Sequence, residues 1–165
     1  MDAVKDSSAP SVVAFEDLTI FTLAAHGSRA ATAKFGSLSS LPPPDVADRL
    51  LQSCYQHTQA HVCIVDWVML RRWHESRETV CFASAQDGLE VMKQAYFIWM
   101  SYAIGAQLDS TSEVPCGTYY ARALQYLSAP LIREDVITVQ ALLMLAQYSF
   151  RASVREVILP TQGIC

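Results

Sequence analysis

The stretch that most constrains the fold is residues 138–151, which read Thr-Val-Gln-Ala-Leu-Leu-Met-Leu-Ala-Gln-Tyr-Ser-Phe-Arg. At helical spacing its apolar side chains cover nearly the whole circumference of a helix. A helix of this kind must be surrounded by other helices rather than laid on the outside of a protein. The stretch therefore predicts a central position in a multi-helix domain.

The composition agrees with a helical protein that buries much of itself. Of the 165 residues, 52% are hydrophobic and 17% are charged, against roughly 25% charged in an average soluble domain. This length indicates one domain with a real core. The net charge is −4, and no sizeable basic patch is present. Direct binding to nucleic acid is therefore not expected.

Three features indicate a soluble intracellular protein without a membrane segment. The five cysteines are odd in number and lack C-x-x-C spacing, which favours reduced thiols. The N-terminus has no basic start, and its apolar run is interrupted by Glu16 and Asp17, so no signal peptide is expected. The longest uncharged apolar run, residues 95–106, is about half of the ~20 residues that a membrane span needs.

The chain divides into three parts. Residues 1–44 mix Ser, Ala and Gly and end in a triple proline, so we expect a mostly disordered lead-in with a short apolar element around residues 15–23. Residues 45–151 are helical in pattern, and residues 152–165 form a tail. Strand-like alternation is not sustained anywhere. The predicted fold is all-α, a multi-helix orthogonal bundle of about five helices.

The first three helices occupy residues 45 to 108. Asp45 is the predicted N-cap of the first helix, which runs to about residue 60, and Asp66 caps the second. Residues 79–87 are predicted to be a loop. The third helix, from about residue 88 to 108, is apolar on every side in its second half and is expected to be central.

The last two helices follow a turn-rich loop. The fourth begins near Gly117 and must stop before Pro130. The fifth has Asp135 as its predicted N-cap. Its main apolar stripe consists of Val136, Val139, Leu143, Ala146 and Phe150.

One group of residues could hold a metal ion. His57 and His61 stand four apart on the first predicted helix, and Cys63 lies just past its end. The glutamate of an H-E-x-x-H motif is missing between them, which excludes that class of metalloprotease. Structural zinc needs four closed ligands, so two polar-face histidines are the better interpretation.

Catalytic and cofactor motifs are absent from the sequence. The serines lack a G-x-S-x-G context, and no phosphate loop or dinucleotide pattern occurs. The basic cluster at residues 71–77 is offset by glutamates and reads as a solvated helix face. The many aromatic residues could line a ligand pocket, but core packing explains them better. We therefore expect no enzyme activity and no cofactor in this chain.

Four blocks in residues 45–151 carry a family pattern. They are a leucine pair with a following tyrosine, an apolar helix that ends in an Ala-rich turn, a Tyr-Tyr-x-x-Ala block, and Thr-x-Gln-Ala-Leu-Leu-x-Leu-x-x-Tyr. The residues that carry them are Leu50, Leu51, Tyr55, Tyr102, Gly105, Tyr119, Tyr120, Ala123, Thr138, Gln140, Ala141, Leu142, Leu143, Leu145 and Tyr148. In this order the blocks resemble the middle homology region of fungal zinc-cluster transcription factors, the fungal-specific transcription factor domain.

The resemblance implies a regulatory, non-catalytic part of a fungal transcription factor. Such a region modulates transcription in the nucleus through protein–protein or effector contacts. Members of this family carry an N-terminal six-cysteine zinc cluster, but residues 1–53 contain no cysteine. Zinc and DNA binding are therefore expected only in a segment absent from this chain. Further helices follow the Tyr148 helix in the family, so we expect this chain to be truncated.

The sequence also offers two other functional interpretations, a helical-repeat scaffold and a small enzyme or ligand carrier. Residues 120–130, Tyr-Ala-Arg-Ala-Leu-Gln-Tyr-Leu-Ser-Ala-Pro, read like the second helix of a tetratricopeptide unit, which would make the chain a helical-repeat interaction scaffold. Such scaffolds need at least about three copies at a ~34-residue period, and only one is found. A small enzyme or ligand carrier would need convergent polar groups that the sequence does not offer.

A truncated domain has a physical consequence. Fully burying a Leu, Ile or Val side chain contributes roughly 1.5–3 kcal/mol, and an apolar helix face without a neighbour is an aggregation-prone patch. We predict that this polypeptide is marginally stable or oligomeric by itself. Its partners are expected to be other proteins or a second copy, bound through exposed apolar helix faces. The nucleus is the predicted location by resemblance, and the cytoplasm otherwise.

Overall fold

The computed structural model describes residues 40–133 and 135–158, and within these ranges the protein is all-α, as predicted. The expected lead-in element around residues 15–23 lies outside the described residues, as do residues 159–165 of the predicted tail, whereas residues 152–158 belong to the last helix. The elements are α1 (Pro44–Cys54), a π-helical turn (Tyr55–Gln59), α2 (Trp67–Glu75), α3 (Arg77–Val80), a 3₁₀ turn (Ala85–Asp87), α4 (Leu89–Leu108), α5 (Cys116–Leu124), α6 (Ser128–Leu131) and α7 (Val136–Ile158).

Helix α4 is the centre of the fold, as its apolar second half predicts. Every residue from 95 to 106 is buried. Helices α1 and α5 make the most extensive contacts with it, and α2, α3, α6 and α7 also pack against it. Its largest side chains, Tyr96, Trp99 and Tyr102, are fully buried. Because α4 is apolar on all sides, each neighbour can remove apolar surface from water by packing against it.

The contact between α1 and α4 depends on a glycine. A Cβ atom added at Gly105 would lie 2.1 Å from the backbone oxygen of Leu50, closer than atoms can approach. The two backbones therefore meet at a distance that only glycine permits. Around this point Ala47, Leu50 and Cys54 of α1 are completely buried.

Two of the three predicted N-caps are confirmed. Asp66 Oδ1 accepts hydrogen bonds from the backbone N–H groups of Val68, at 2.8 Å, and Met69, at 3.1 Å. Asp135 Oδ1 accepts one from the N–H of Thr138 at 3.1 Å. The prediction for Asp45 is wrong because Pro43 occupies the cap position and Asp45 lies within the first turn. Proline suits the first helical positions, where N–H groups have no partner.

Two predicted boundaries need correction. Residues 79–87 are not a plain loop, because α3 runs to Val80 and a 3₁₀ turn follows, capped by Ser84. The predicted fourth helix is divided into α5 and α6, and Pro130 lies inside α6 rather than beyond a helix end. Proline is tolerated there because it falls in the first turn, whose N–H groups make no bond within the helix.

The last helix is not surrounded by other helices in the described residues, contrary to the expectation from its apolar circumference, and its main stripe is exposed. The exposed fractions of Val136, Val139, Leu143 and Phe150 are 70%, 56%, 48% and 72%. Ala141, Met144 and Tyr148 are buried instead, where α7 packs against α4 and α6. Both stripes have helical spacing, so periodicity alone could not select the buried one. No described helix is long and apolar enough to span a lipid bilayer.

The cysteines are not all free thiols. Cys54, Cys63 and Cys81 are free, whereas Cys116 is disulfide-bonded, so the expectation of reduced thiols is wrong for Cys116. Burial raises the pKa of the Cys54 and Cys81 thiols to about 12, which keeps both protonated near neutral pH.

Candidate functional site

Most of the family-motif residues lie in the core rather than at a surface site. The buried ones are Leu50, Leu51, Tyr102, Gly105, Tyr119, Ala123, Ala141 and Tyr148. Tyr55, Tyr120, Thr138, Gln140 and Leu145 are partly exposed, and Leu142 and Leu143 are exposed. The motif therefore describes mainly how the helices pack.

The blocks contact one another in three dimensions. The ring centroids of Tyr102 and Tyr119 lie 6.1 Å apart in an edge-to-face arrangement. The rings of Tyr120 and Tyr148 are stacked at 4.1 Å, with 5° between their planes, and this stack joins α5 to α7. Thr138 Oγ1 donates a hydrogen bond to the carbonyl oxygen of Pro130 at 2.8 Å, which ties α7 to α6. The aromatic pairs Tyr102–Tyr119 and Tyr120–Tyr148 belong to a class of contacts that contribute about 0.5–1.5 kcal/mol to stability beyond the effect of their buried area.

One side of α7 forms a continuous apolar surface, which we call the α7 apolar face. It consists of Val136, Val139, Leu142, Leu143, Ala146 and Phe150, all exposed. At 3.6 residues per turn, these positions lie opposite the buried Ala141, Met144 and Tyr148. Scattered exposed apolar residues are ordinary, but a contiguous patch of them marks a contact site.

The candidate metal ligands are not brought together as the sequence spacing suggests. His57 lies in the π-helical turn and His61 in the turn after it, so the two do not share a regular α-helical turn. All three candidates, His57, His61 and Cys63, are exposed. Among the residues described, no three His, Cys, Asp or Glu side chains are grouped closely enough to hold an ion.

A polar cluster that sequence reasoning missed surrounds the buried His74. Its Nε2 lies 2.6 Å from Asp48 Oδ1 on α1, and its Nδ1 lies 2.8 Å from the hydroxyl of Tyr102 on α4. His74 is only 5% exposed. His74 lies one helical turn after the buried Leu70, on the apolar side of α2, and this spacing in the sequence could have indicated that His74 is buried.

The His74 cluster is suited to holding three helices together. Burial lowers the pKa of His74, the hydrogen bond to Asp48 opposes this, and positive Arg77 adds to the lowering. A neutral imidazole that donates from Nε2 to Asp48 and accepts the Tyr102 proton at Nδ1 satisfies both bonds. Both ring nitrogens then have a hydrogen-bond partner within the fold.

A cleft with a volume of 370 Å³ lies beside α1 and is called the α1 cleft here. Its walls come from the Ser40–Pro43 approach to α1, from α1 itself, from the loop after α4 and from the start of α5. Its lining residues are Ser40, Leu41, Pro42, Pro43, Asp45, Val46, Arg49, Thr111, Glu113, Val114 and Tyr119. Arg49 Nε lies 2.8 Å from Asp109 Oδ2, which fixes the guanidinium at the cleft.

Tyr119 is the buried residue of this cleft whose hydroxyl lacks a hydrogen-bond partner. The residue is fully buried, and its hydroxyl oxygen makes no hydrogen bond in the described structure. An unpaired buried polar group costs about 1–3 kcal/mol. Burial raises the pKa of the Tyr119 phenol, and the nearby positive Arg49 opposes that rise.

No protein-family model, no curated protein and no solved structure matches this chain. The resemblance to fungal transcription factors therefore stays a prediction that depends on the four sequence blocks.

Two surfaces of the described residues are candidate contact sites. The α7 apolar face is uncharged and apolar, which suits packing against another helix. The α1 cleft has the size of a small-molecule site and a buried hydroxyl without a partner. The two lie on different helices, so they can be tested separately.

Proposed function

We propose that this chain is a regulatory, non-catalytic part of a fungal transcription factor that acts by pairing with a second copy of itself through the α7 apolar face. The observation that carries the proposal is the exposure of that face on a helix whose opposite side is packed into the core. The four family blocks supply the link to transcription. DNA contact is assigned to a segment absent from this chain.

The chemistry of the face favours self-pairing. Its six residues carry no charge, so two copies meet without burying an unpaired ion. A twofold interface uses the same patch from both subunits, and an uncharged apolar stripe is complementary to itself. Burying Val139, Leu143 and Phe150 fully would contribute roughly 1.5–3 kcal/mol each. Part of that gain is lost to the entropy of association.

The test of pairing is analytical ultracentrifugation of the 165-residue chain over a range of concentrations. We expect a monomer–dimer equilibrium that Leu143→Glu shifts strongly toward monomer, because the variant places a charge in the centre of the interface. Val68→Glu is the matched control, since Val68 is 69% exposed on α2, away from the face. A wild-type chain that stays monomeric with a sharp thermal transition would contradict the proposal.

The test of regulation is a reporter assay in a fungal host. The chain is fused to an unrelated DNA-binding domain and compared with its Leu143→Glu and Val68→Glu variants. We expect reporter output to change on fusion and the change to be lost only in Leu143→Glu. Equal output from all fusions and from the DNA-binding domain alone would contradict a regulatory role. In a gel-shift assay the isolated chain should produce no sequence-specific shift.

The helical-repeat scaffold remains an alternative prediction. It would use the same exposed apolar residues to hold an unrelated protein, without any effect on transcription. Pairing that is abolished by Leu143→Glu, together with unchanged reporter output, would favour an interaction role of that kind.

A further inference from the structure

The α1 cleft joins an apolar wall to a buried hydroxyl that lacks a partner. Leu41, Val46 and Val114 form the wall and are each partly buried. Tyr119 stacks on Trp99, with ring centroids 6.3 Å apart, which fixes the tyrosine ring within the core. The ring is therefore held in place, and its hydroxyl has no hydrogen-bond partner among the described residues.

The charges around the cleft select against an anion. Arg49 is the only cation in the lining, and it is already paired with Asp109. Asp45 and Glu113 also line the cleft, and both act electrostatically on Arg49. Among the described residues, neither the Asp45 carboxylate nor the Glu113 carboxylate forms an ion pair. The rim is therefore negative overall, which raises the local concentration of cations and repels anions.

The volume of the cleft limits the size of an occupant. At 370 Å³ it lies near the lower end of the range of about 300–1,000 Å³ that is typical of small-molecule sites. Such sites are mainly apolar with a few placed polar groups that fix orientation. The α1 cleft is more polar than that, because six of its eleven lining residues are polar or charged, and its apolar part is the wall of Leu41, Val46 and Val114.

We propose that the α1 cleft binds a small amphipathic molecule, neutral or cationic, whose hydrogen-bond acceptor accepts a hydrogen bond from the Tyr119 hydroxyl and whose apolar body packs on Leu41, Val46 and Val114. A positively charged end lies toward Asp45 and Glu113. The inference is independent of the proposed transcriptional role, because it depends on the cleft alone.

The experiment uses three probes that share one apolar body and one acceptor. They are benzamide, 4-(aminomethyl)benzamide and 4-carbamoylbenzoate, which are neutral, cationic and anionic. Binding to the full chain is measured by saturation-transfer NMR and by titration of protein chemical shifts. Probes of this size are expected to bind with a Kd on the order of 1 mM. The cation should bind about five-fold more tightly than the anion, and added salt should shrink that difference.

Two variants distinguish binding in the α1 cleft from nonspecific binding elsewhere on the protein. Tyr119→Phe removes only the unpartnered hydroxyl, so it should weaken the amide probes about five-fold without lowering Tm. Tyr126→Phe is the control, because its hydroxyl donates to the carbonyl oxygen of Cys81 at 3.0 Å away from the cleft lining. It should leave probe binding unchanged while reducing Tm.

The outcomes that overturn the proposal are distinct. No binding of any probe at several times the expected Kd would show that the cleft takes no such molecule. Equal affinity of wild type and Tyr119→Phe would remove the hydroxyl from recognition. Anion binding as tight as cation binding would contradict the charge argument. None of these results depends on pairing of the chain, so the proposed function is tested separately.

Discussion

Helices α4 and α7 are both apolar around most of their circumference, yet only α4 is enclosed. Residues 95–106 of α4 are all buried, whereas α7 buries Ala141, Met144 and Tyr148 and leaves Val139 and Phe150 in solvent. Six other helices pack on α4 from several directions, and α7 packs mainly on α4 and α6. The difference lies in the number of neighbours rather than in the sequence character of the two helices.

This difference explains why one central helix was predicted well and the other was not. When a helix is enclosed, every apolar position is buried, and no choice of face is needed. When a helix of the same character has neighbours on one side only, the contacts of that side decide its orientation. In α7 they are the Tyr120–Tyr148 stack and the hydrogen bond from Tyr96 to the carbonyl oxygen of Ala141, at 2.8 Å.

The largest expected difference comes from truncating one aliphatic residue on each helix. Ile98 on α4 is fully buried, and Leu143 on α7 is 48% exposed. Ile98→Ala should lower the free energy of unfolding by about 2–5 kcal/mol, because it removes contacts and leaves a cavity. Leu143→Ala should change it by less than about 0.5 kcal/mol at concentrations where the chain is monomeric. Urea denaturation at low protein concentration measures both.

Equal costs for Ile98→Ala and Leu143→Ala would break the comparison. If Leu143→Ala costs several kcal/mol only at high protein concentration, the α7 apolar face is buried by association and the pairing proposal gains support. A large cost at every concentration would mean that another part of the same chain covers Leu143.

The second prediction concerns the close approach between α1 and α4. Gly105→Ala should lower the free energy of unfolding by about 3 kcal/mol, because the added methyl group meets the backbone oxygen of Leu50 and the two helices must move apart. In an unconstrained helix the same change would be favourable by up to about 1 kcal/mol. The sign of the change in urea denaturation is therefore decisive. A stabilised variant would mean that the backbones do not approach this closely.

The all-α class and the central third helix could be predicted from the sequence because both depend on local periodicity and overall composition. The caps at Asp66 and Asp135 could also be predicted, since capping is a local interaction. Asp45 was assigned wrongly because Pro43 and Pro44, the last two of the three prolines before it, take the cap and the first helical position. The sequence predicts the helix start correctly only if the preference of proline for the first turn is ranked above the preference of aspartate for the cap.

The sites were harder to predict than the helices because they depend on distant contacts. The partners of His74 come from α1 and α4, at separations of 26 and 28 residues. The Tyr119 hydroxyl gains its role from a cleft whose walls are four separate segments. The sequence predicted that aromatic residues pack in the core, but it could not single out the one whose hydroxyl lacks a partner.

The third prediction tests the hydrogen bond that orients α7 on α4. Tyr96→Phe removes the bond to the Ala141 carbonyl while keeping the ring, and it should cost about 1 kcal/mol of unfolding free energy. Tyr119→Phe is the matched control, because that hydroxyl has no partner and its loss should be neutral or stabilising. Both are measured by thermal and urea denaturation. Identical effects of the two substitutions would mean that the Tyr96 bond does not contribute to holding α7.

The smallest effect is expected from the pH dependence of the polar cluster on the enclosed side of α4. The pKa of His74 is lowered in the folded protein, mainly by burial, and the hydrogen bond to Asp48 limits the shift. The unfolded chain therefore binds a proton at His74 more readily than the folded one does. Stability from this residue is complete above the ordinary value of 6.5 and declines as the pH falls from there toward the folded pKa.

The His74→Gln variant isolates this contribution, because glutamine keeps a donor and an acceptor but does not titrate. Between about pH 7.5 and about pH 5.5, the wild type should lose more stability than the variant. If the wild type instead gains stability relative to His74→Gln on acidification, the attraction of Asp48 outweighs burial and the imidazole is charged in the fold. The Tyr102 hydroxyl would then accept a hydrogen bond from Nδ1 rather than donate one, and His74 and Asp48 would form an ion pair beside α4.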